Sequence, residues 1–431
     1  MANPVTNLLQ KNRFIRSLMS LDGNAKWVVL CEPFWAITSA LYSAYAVQYR
    51  KEVISLNNEN LGFLLGTLVT ISLVSQFVCS FVGGVIIDKY GRRRIYLISD
   101  LLSAGFSMLL LALAKNFWWF AASMFFAGGW QIATNAWSGI TTEDTDPKKI
   151  PIAFSGMSVM QLAATFLTPI AILLVNRFGV VNAMHGVYFF AAASQSLKSI
   201  LMYLKTKETQ QGIQRMEETR DVPFIKMFAD YGRIFKLIFT TPVTRLLLML
   251  VLTLNINNVI INTFFYDFAT ERLGLPAASL GYIPMIRAVV CLLFMFTAQS
   301  YVNERSHKVV LSVGLLLYVA AFASPILFQN FSWVGVVLYI FFEAIANAFI
   351  YPRKESLLFL YIDKKERSRV YGLLHVLALA VSSPFGTIMG AMSDVNRLLP
   401  FLFAIAVSIG CSVLIVLSKA ESKSKNTAAG Q

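Results

Sequence analysis

Apolar runs, broken by short polar connections, recur along nearly the whole chain. Each is long enough to cross a bilayer as an α-helix, which takes roughly 20 apolar residues at about 1.5 Å rise apiece. Twelve such windows stand out, near 27–47, 61–87, 95–114, 117–140, 152–175, 184–204, 246–268, 279–302, 309–328, 332–352, 369–391 and 399–418. One long interruption, the strongly charged stretch from Lys205 to Arg245, leaves six windows on either side. The predicted fold class is therefore an all-α integral membrane protein of two six-helix bundles. Its parts are an N-terminal segment 1–26, a first bundle 27–205, a linker 206–245, a second bundle 246–418 and a tail 419–431. Within the linker, Phe224, Ile225, Phe228, Tyr231, Phe235 and Ile238 recur at helical spacing opposite Lys226, Arg233 and Lys236. That spacing predicts an amphipathic helix lying on the membrane surface and tying the halves together.

Composition agrees. With 56% apolar, 13% aromatic and 14% charged residues, and a mean hydropathy of +0.61, the chain does not describe a water-soluble domain. Its first 26 residues lack the apolar core and small-residue cleavage site of a signal peptide, so the first window is read as a retained anchor. Twelve crossings then put both termini on one side, and 29 of the 37 Lys and Arg residues fall on that same side. The positive-inside rule makes it the cytoplasmic side of the plasma membrane. The net charge of +14 is thus a topology signal with an attraction to anionic inner-leaflet lipids, and calls for no nucleic-acid partner.

Cys31, Cys79, Cys291 and Cys411 each sit inside an apolar window, with no C-x-x-C spacing and no clustered His, so neither a disulfide framework nor a metal site is expected. Neither a nucleophile–base pair nor a phosphate loop is present, which speaks against an enzyme, and no cofactor beyond a coupling proton is called for. One N-x-S sequon, Asn330-Phe-Ser332, falls in a predicted outside loop.

Polar side chains at membrane depth are costly and usually have work or a partner. Here they gather on every third helix: Glu32 in the first, Gln131 and Asn135 in the fourth, Asn255, Asn257, Asn258 and Asn262 in the seventh, Glu343 and Asn347 in the tenth. Glu32, Trp35, Ser39 and Tyr42 share one helical stripe; so do Asn255, Asn258 and Asn262, and so do Glu343, Asn347 and Tyr351. Amides offer paired donors and acceptors, and with Trp35, Tyr42, Trp130 and Trp137 they suit a small polar or amphipathic organic solute. Glu343 lies near the bilayer midplane, a depth suited to taking up and releasing a proton. Glu32 is shallower, either a second proton carrier or an interfacial charge. Arg287, buried in the eighth helix, either pairs with Glu343 or binds an anionic group of the solute. Lys198 is read as snorkelling from the inner end of the sixth helix, Asp100 as pairing with the arginine loop, and His375 as a hydrogen-bonded packing residue.

After the second window comes Gly84-Val-Ile-Ile-Asp88-Lys89-Tyr-Gly91-Arg92-Arg93-Arg94. Its spacing, G-x-x-x-D-K-x-G-R-R-R, resembles the loop between the second and third helices of the major facilitator superfamily. An internal repeat supports the likeness. Glu143-Asp144-Thr-Asp146-Pro-Lys148-Lys149 leads to Gly156 and Pro169, as Asp363-Lys364-Lys365-Glu366-Arg367 leads to Gly372 and Pro384. Ser300-x-x-x-Glu304-Arg305, followed by His307 and Lys308, echoes the Gly84 motif. The resemblance implies two pseudo-symmetric bundles that alternate access to a cavity lined by helices one, four, seven and ten, in a monomer. It also implies that Gly84, Asp88, Gly91 and Arg92 form a cytoplasmic latch. Asp88 would face the amino end of helix eleven near Ser368 and Arg369, holding the outward-open state.

Two features of the family's proton-driven drug exporters are missing. Helix four reads Phe125-Phe-Ala-Gly128-Gly129-Trp130-Gln131 without an Arg, and Ala163-Ala-Thr-Phe-Leu-Thr168 rather than a Gly-rich run precedes Pro169. The expected function is proton-coupled secondary transport of a small polar or amphipathic solute. Facilitative uniport, multidrug/proton efflux and a non-cycling membrane receptor are the alternatives.

Overall fold

The computed structural model describes residues 17–55, 60–228, 231–297, 305–330, 332–361 and 367–418. Helices α1 (Gly23–Tyr42) and α2 (Ala46–Ile54) make the first crossing, α3 (Leu61–Tyr90) the second, and α4 (Arg92–Asp100) with α5 (Ser107–Ala112) the third. Helices α6 (Phe117–Ala127) and α7 (Trp130–Thr142) make the fourth; α8 (Ile150–Thr165) and α9 (Thr168–Lys205) supply the fifth and sixth. In the linker lie α10 (Gln210–Thr219) and α11 (Tyr231–Thr240). The seventh to twelfth crossings are α12 (Pro242–Val259) with α13 (Phe265–Glu271), α14 (Tyr282–Thr297), α15 (His307–Leu327), α16 (Ser332–Tyr361), α17 (Arg367–Val395) and α18 (Leu399–Leu417).

Nine of the described stretches are long and apolar enough to cross a membrane as they stand. Twelve crossings result because one of these, Ile150–Lys205, is two. Gly179, at φ +75° inside α9, turns the chain back where any Cβ would be strained. The fourth crossing is divided into pieces of 11 and 13 residues, and the first, though 20 residues long, carries Lys26 and Glu32, so length and hydropathy alone pass both over. In the fourth, Gly128 and Gly129 open the helix, and the Ser75 hydroxyl from α3 donates to the Phe125 carbonyl there at 2.5 Å. A Cβ on Gly128 would collide with Ser75, so glycine is what lets the second and fourth crossings touch. The third and seventh crossings each contain a π-turn, Leu101–Phe106 and Ile260–Phe264, a widening often found at functional sites.

In the linker, α11 carries Tyr231, Arg233, Phe235, Lys236 and Ile238 of the expected amphipathic pattern, Phe224–Phe228 is a short 3₁₀ turn, and the unpredicted α10 precedes both. Helix α10 is short and mostly polar, with Ile213 and Met216 three apart on one face, and its ends are held as well. Thr209 caps it by accepting from the Gly212 N–H, and Thr219 donates to the Asp88 carbonyl.

The arginine loop is anchored to the same segment. Gly91, at φ +86°, ends α3 and starts α4, and the Arg92 and Arg93 N–H groups both donate to Glu208 at 2.9 Å. A carboxylate on a helix amino end satisfies orphan donors and the local dipole together. Arg92 itself reaches Glu143 at 3.1 Å. A Cβ on Gly91 would lie 2.7 Å from Glu208 in a backbone region reserved for glycine. Gly91→Ala is therefore expected to cost about 1–3 kcal/mol, read as a lower thermal midpoint, through strain and a displaced cap. Nearby, Lys149 binds Asp22 at 2.7 Å and holds its carboxyl below the ordinary range.

Closest approach between the first six crossings and the last six is the contact of α3 with α17. Gly62 and Gly66, four apart, face Gly386 and Gly390, four apart, backbone to backbone: a Cβ on Gly386 would lie 2.7 Å from the Gly66 oxygen and 2.8 Å from the Thr70 nitrogen. Two small-xxx-small motifs thus cross with nothing between them. Asp394 finishes the contact by accepting from the Gly62 and Phe63 N–H groups at 2.7 Å, capping α3 from across the interface. Thr70 donates to the Ser383 carbonyl at 2.7 Å.

These residues lie at the face opposite the linker. There, too, Lys51 pairs with Asp267 at 3.0 Å and with Glu271, Arg397 meets Asp267 at 3.1 Å, and the Tyr45 hydroxyl donates to the Ala278 carbonyl. At the linker face, the positions a Cβ would take on Gly84 and on Gly372 touch nothing within 4 Å. Among the described residues the contacts that join the two halves are thus drawn from the far face.

Candidate functional site

Two clusters of buried polar groups lie within the membrane-spanning part. In the last six crossings, Glu343 and Asn347 project from α16 one turn apart, and the Asn347 amide donates to the Glu343 carboxylate at 2.6 Å. Arg287, from α14, donates to the other carboxylate oxygen at 2.8 Å. Tyr318, from α15, donates to the Asn347 carbonyl oxygen at 2.7 Å, which fixes the amide's orientation. Glu343 is 2% exposed; Arg287 keeps 25% of its side chain open, yet its Nη2 is buried without a hydrogen bond, as is the Tyr339 hydroxyl. Of the two readings of Arg287, the pair with Glu343 is the one formed here, and an unused donor remains beside it.

The rest of the α16 stripe is engaged as well. Asn258 donates to the Tyr351 hydroxyl and Asn255 to the Ser382 hydroxyl, each at 3.3 Å. Asn262 is exposed and donates to its own helix at the Asn258 carbonyl. Asn257, off the stripe and fully buried, bonds Ser408 of α18 and is a packing contact.

In the first six crossings, a cavity of about 220 Å³ is lined by Glu32, Trp35, Tyr96, Asp100, Trp130, Thr134, Trp137, Gln161 and Lys198 among others. Trp35 and Trp130 stack with centroids 6.0 Å apart. Glu32 is 7% exposed and accepts one long hydrogen bond, 3.4 Å, from Gln161. Two expectations are corrected here. Lys198 does not snorkel: it is 5% exposed, with its ammonium 3.7 Å from Asp100 and 5.8 Å from the Trp130 ring centroid. Nor does Asp100 pair with the arginine loop; it accepts from Tyr96 at 2.9 Å and Ser199 at 2.5 Å. Both lie on faces where α4 meets α9, so the two charges meet inside the bundle and not at its edge.

Besides the α12 amides Asn255, Asn258 and Asn262, three expected site residues stand outside both clusters. Tyr42 stacks on Tyr188 with centroids 5.4 Å apart, Gln131 donates to Gln76, and Asn135 is exposed. Of the latch residues, Asp88 meets Arg92 of its own loop at 3.3 Å. The side chains of Ser368 and Arg369 lie outside those described, as do residues 300–304 and 363–366 of the internal repeat and Phe331 of the sequon.

Twelve crossings, closed at one face and enclosing buried ion pairs, define the class of secondary transporters. The Major Facilitator Superfamily model matches residues 34–299 and 256–431, and the chain belongs to that family. Solved structures of similar fold include a POT family transporter in complex with a thioalcohol-conjugated peptide, with 14% identity over 93% of this chain and 98% of that one at a TM-score of 0.67. The nucleoside transporter NupG matches with 14% identity over 91% and 98%, TM-score 0.65, and a D-xylose-proton symporter with 14% over 91% and 96%, TM-score 0.67. At such identities the likeness shows the fold. No curated protein sequence matches the chain.

Proposed function

We propose that the chain is a proton-coupled transporter of a small polar or amphipathic organic solute, working by alternating access in the cell membrane with both termini cytoplasmic. The observation that carries this reading is the buried Arg287–Glu343–Asn347 cluster, a carboxylate at membrane depth held by one cation and one amide. Protonation of Glu343 releases Arg287, whose unused Nη2 then has capacity for a solute oxygen. A D-xylose-proton symporter shares the fold, which supports proton coupling here.

With the linker face cytoplasmic, the sealed α3–α17 crossing is the outer gate and the state described is inward-open. Gly84, Asp88, Gly91 and Arg92 are then the parts of a latch that closes when the two halves, 27–205 and 246–418, rock the other way.

The test is a thermal-shift screen of the purified chain against sugars, nucleosides, amino acids, short peptides and organic amines. A ligand at about 100 times its dissociation constant adds roughly 2.7 kcal/mol of stability. A hit carried into proteoliposomes is expected to accumulate under an imposed proton gradient and to stop when a protonophore collapses it. Accumulation that ignores the protonophore would identify a facilitative carrier.

A further inference from the structure

We propose that the cavity in the first six crossings is a binding site for the ammonium group of a small amine-bearing solute, with Glu32 as its counter-ion and Trp35 and Trp130 as its walls. The assignment rests on the reading of the chain as a small-solute carrier and names the chemistry of one half of its site.

Charge is the first argument. Two carboxylates, Glu32 and Asp100, and one ammonium, Lys198, line the cavity. Lys198 pairs with Asp100 at 3.7 Å and its field also reaches Glu32, while Asp100 is further held by Tyr96 and Ser199. Glu32 has no lysine or arginine nitrogen within 4.0 Å among the described residues, and a single 3.4 Å hydrogen bond from Gln161. Glu32 is a mostly buried residue whose carboxylate lines the cavity with one weak donor, which makes it an incomplete pair. What completes it is a cation brought by the solute.

The walls are the second argument. Trp35 and Trp130 present stacked indole faces, and Trp130 already attracts the Lys198 ammonium at 5.8 Å. Indole faces attract ammonium groups more strongly than the other aromatic rings do. Thr134, also on the wall, has a buried hydroxyl oxygen without a partner. The cavity's volume of about 220 Å³ has room for an ammonium group and a body about the size of one ring.

Three of the chain's seven tryptophans line this cavity, so tryptophan emission reports on it. Purified full-length protein is titrated with phenethylamine, with 2-phenylethanol as its neutral counterpart and phenylacetate as its anionic one. Phenethylamine is expected to change the emission saturably, the other two not. Glu32→Gln should weaken the amine by about tenfold or more, as loss of a charged hydrogen bond does. Trp35→Leu, which keeps every charge, should weaken it as well.

An equal response to the alcohol would overturn the proposal, as would unchanged affinity in a Glu32→Gln protein whose thermal unfolding shows it folded. If Glu32→Gln does not fold, unchanged affinity in Trp35→Leu overturns it. Amine binding is read by emission at this cavity and coupling by accumulation in proteoliposomes, so the two readings fail separately. Normal amine binding without proton-driven accumulation would therefore sink the coupling reading and leave this site standing, and the reverse result would do the opposite.

Discussion

Glu343→Gln is expected to abolish gradient-driven accumulation in proteoliposomes while leaving counterflow exchange of the same solute intact. The substitution keeps the side chain's shape and an acceptor for the Asn347 amide, and removes only the ability to carry charge and proton. Exchange needs the two halves to rock with solute bound; net uphill movement needs the proton as well. The variant fixes the cluster in its neutral form, in which Arg287 is released from its pair. Stability should fall too, because removing one partner of a buried ion pair costs about 3–5 kcal/mol. The lower end applies here, since a quarter of the Arg287 side chain meets solvent. Adding Arg287→Gln should recover much of that loss, which thermal unfolding of the two single variants and the double variant checks as a cycle. Full accumulation in Glu343→Gln would remove this carboxylate from the mechanism.

The second large effect is expected at the helix crossing. Gly386→Val places a branched side chain where a Cβ alone would sit 2.7 Å from the Gly66 oxygen and 2.8 Å from the Thr70 nitrogen, both backbone atoms that cannot swing aside. Overpacking of this kind costs typically about 1–3 kcal/mol, and only the state sealed at that face bears it. A shift of that size moves a two-state equilibrium by roughly ten- to a hundredfold. In a background without the four native cysteines, spin labels at Ser55→Cys and Asn396→Cys span the sealed face. Their separation should lengthen in Gly386→Val, and transport should fail. An unchanged distance distribution would mean that this crossing does not control the gate.

Much of this was readable in advance, and the exceptions have physical causes. The spacing of apolar windows predicts all twelve crossings because lipid leaves the backbone few alternatives to helix. Polarity on every third helix marks Glu32 and Glu343, and both lie in buried clusters. Lys198 and Asp100 are misplaced because depth along a helix can be counted from sequence, whereas the face a side chain takes depends on which helix packs there. Glu208 caps α4 from 115 positions away, a contact no local pattern contains. The glycine crossing is different. Gly62-x-x-x-Gly66 and Gly386-x-x-x-Gly390 are legible as close-packing motifs, and attention to the arginine loop alone passes them over. Tyr42, Gln131 and Asn135 share the polarity signal and still fall outside both clusters, since a polar stripe says which helix faces inward and not which neighbour its side chains find.

The measurement that tests proton coupling most directly is proton movement itself. Wild-type protein in proteoliposomes holding a trapped pH dye, with no imposed gradient, is given the solute identified by the thermal-shift screen. An internal pH change that follows solute entry, and is missing in Glu343→Gln, is the expected result. Solute entry with no pH change in the wild type would contradict coupling through this chain.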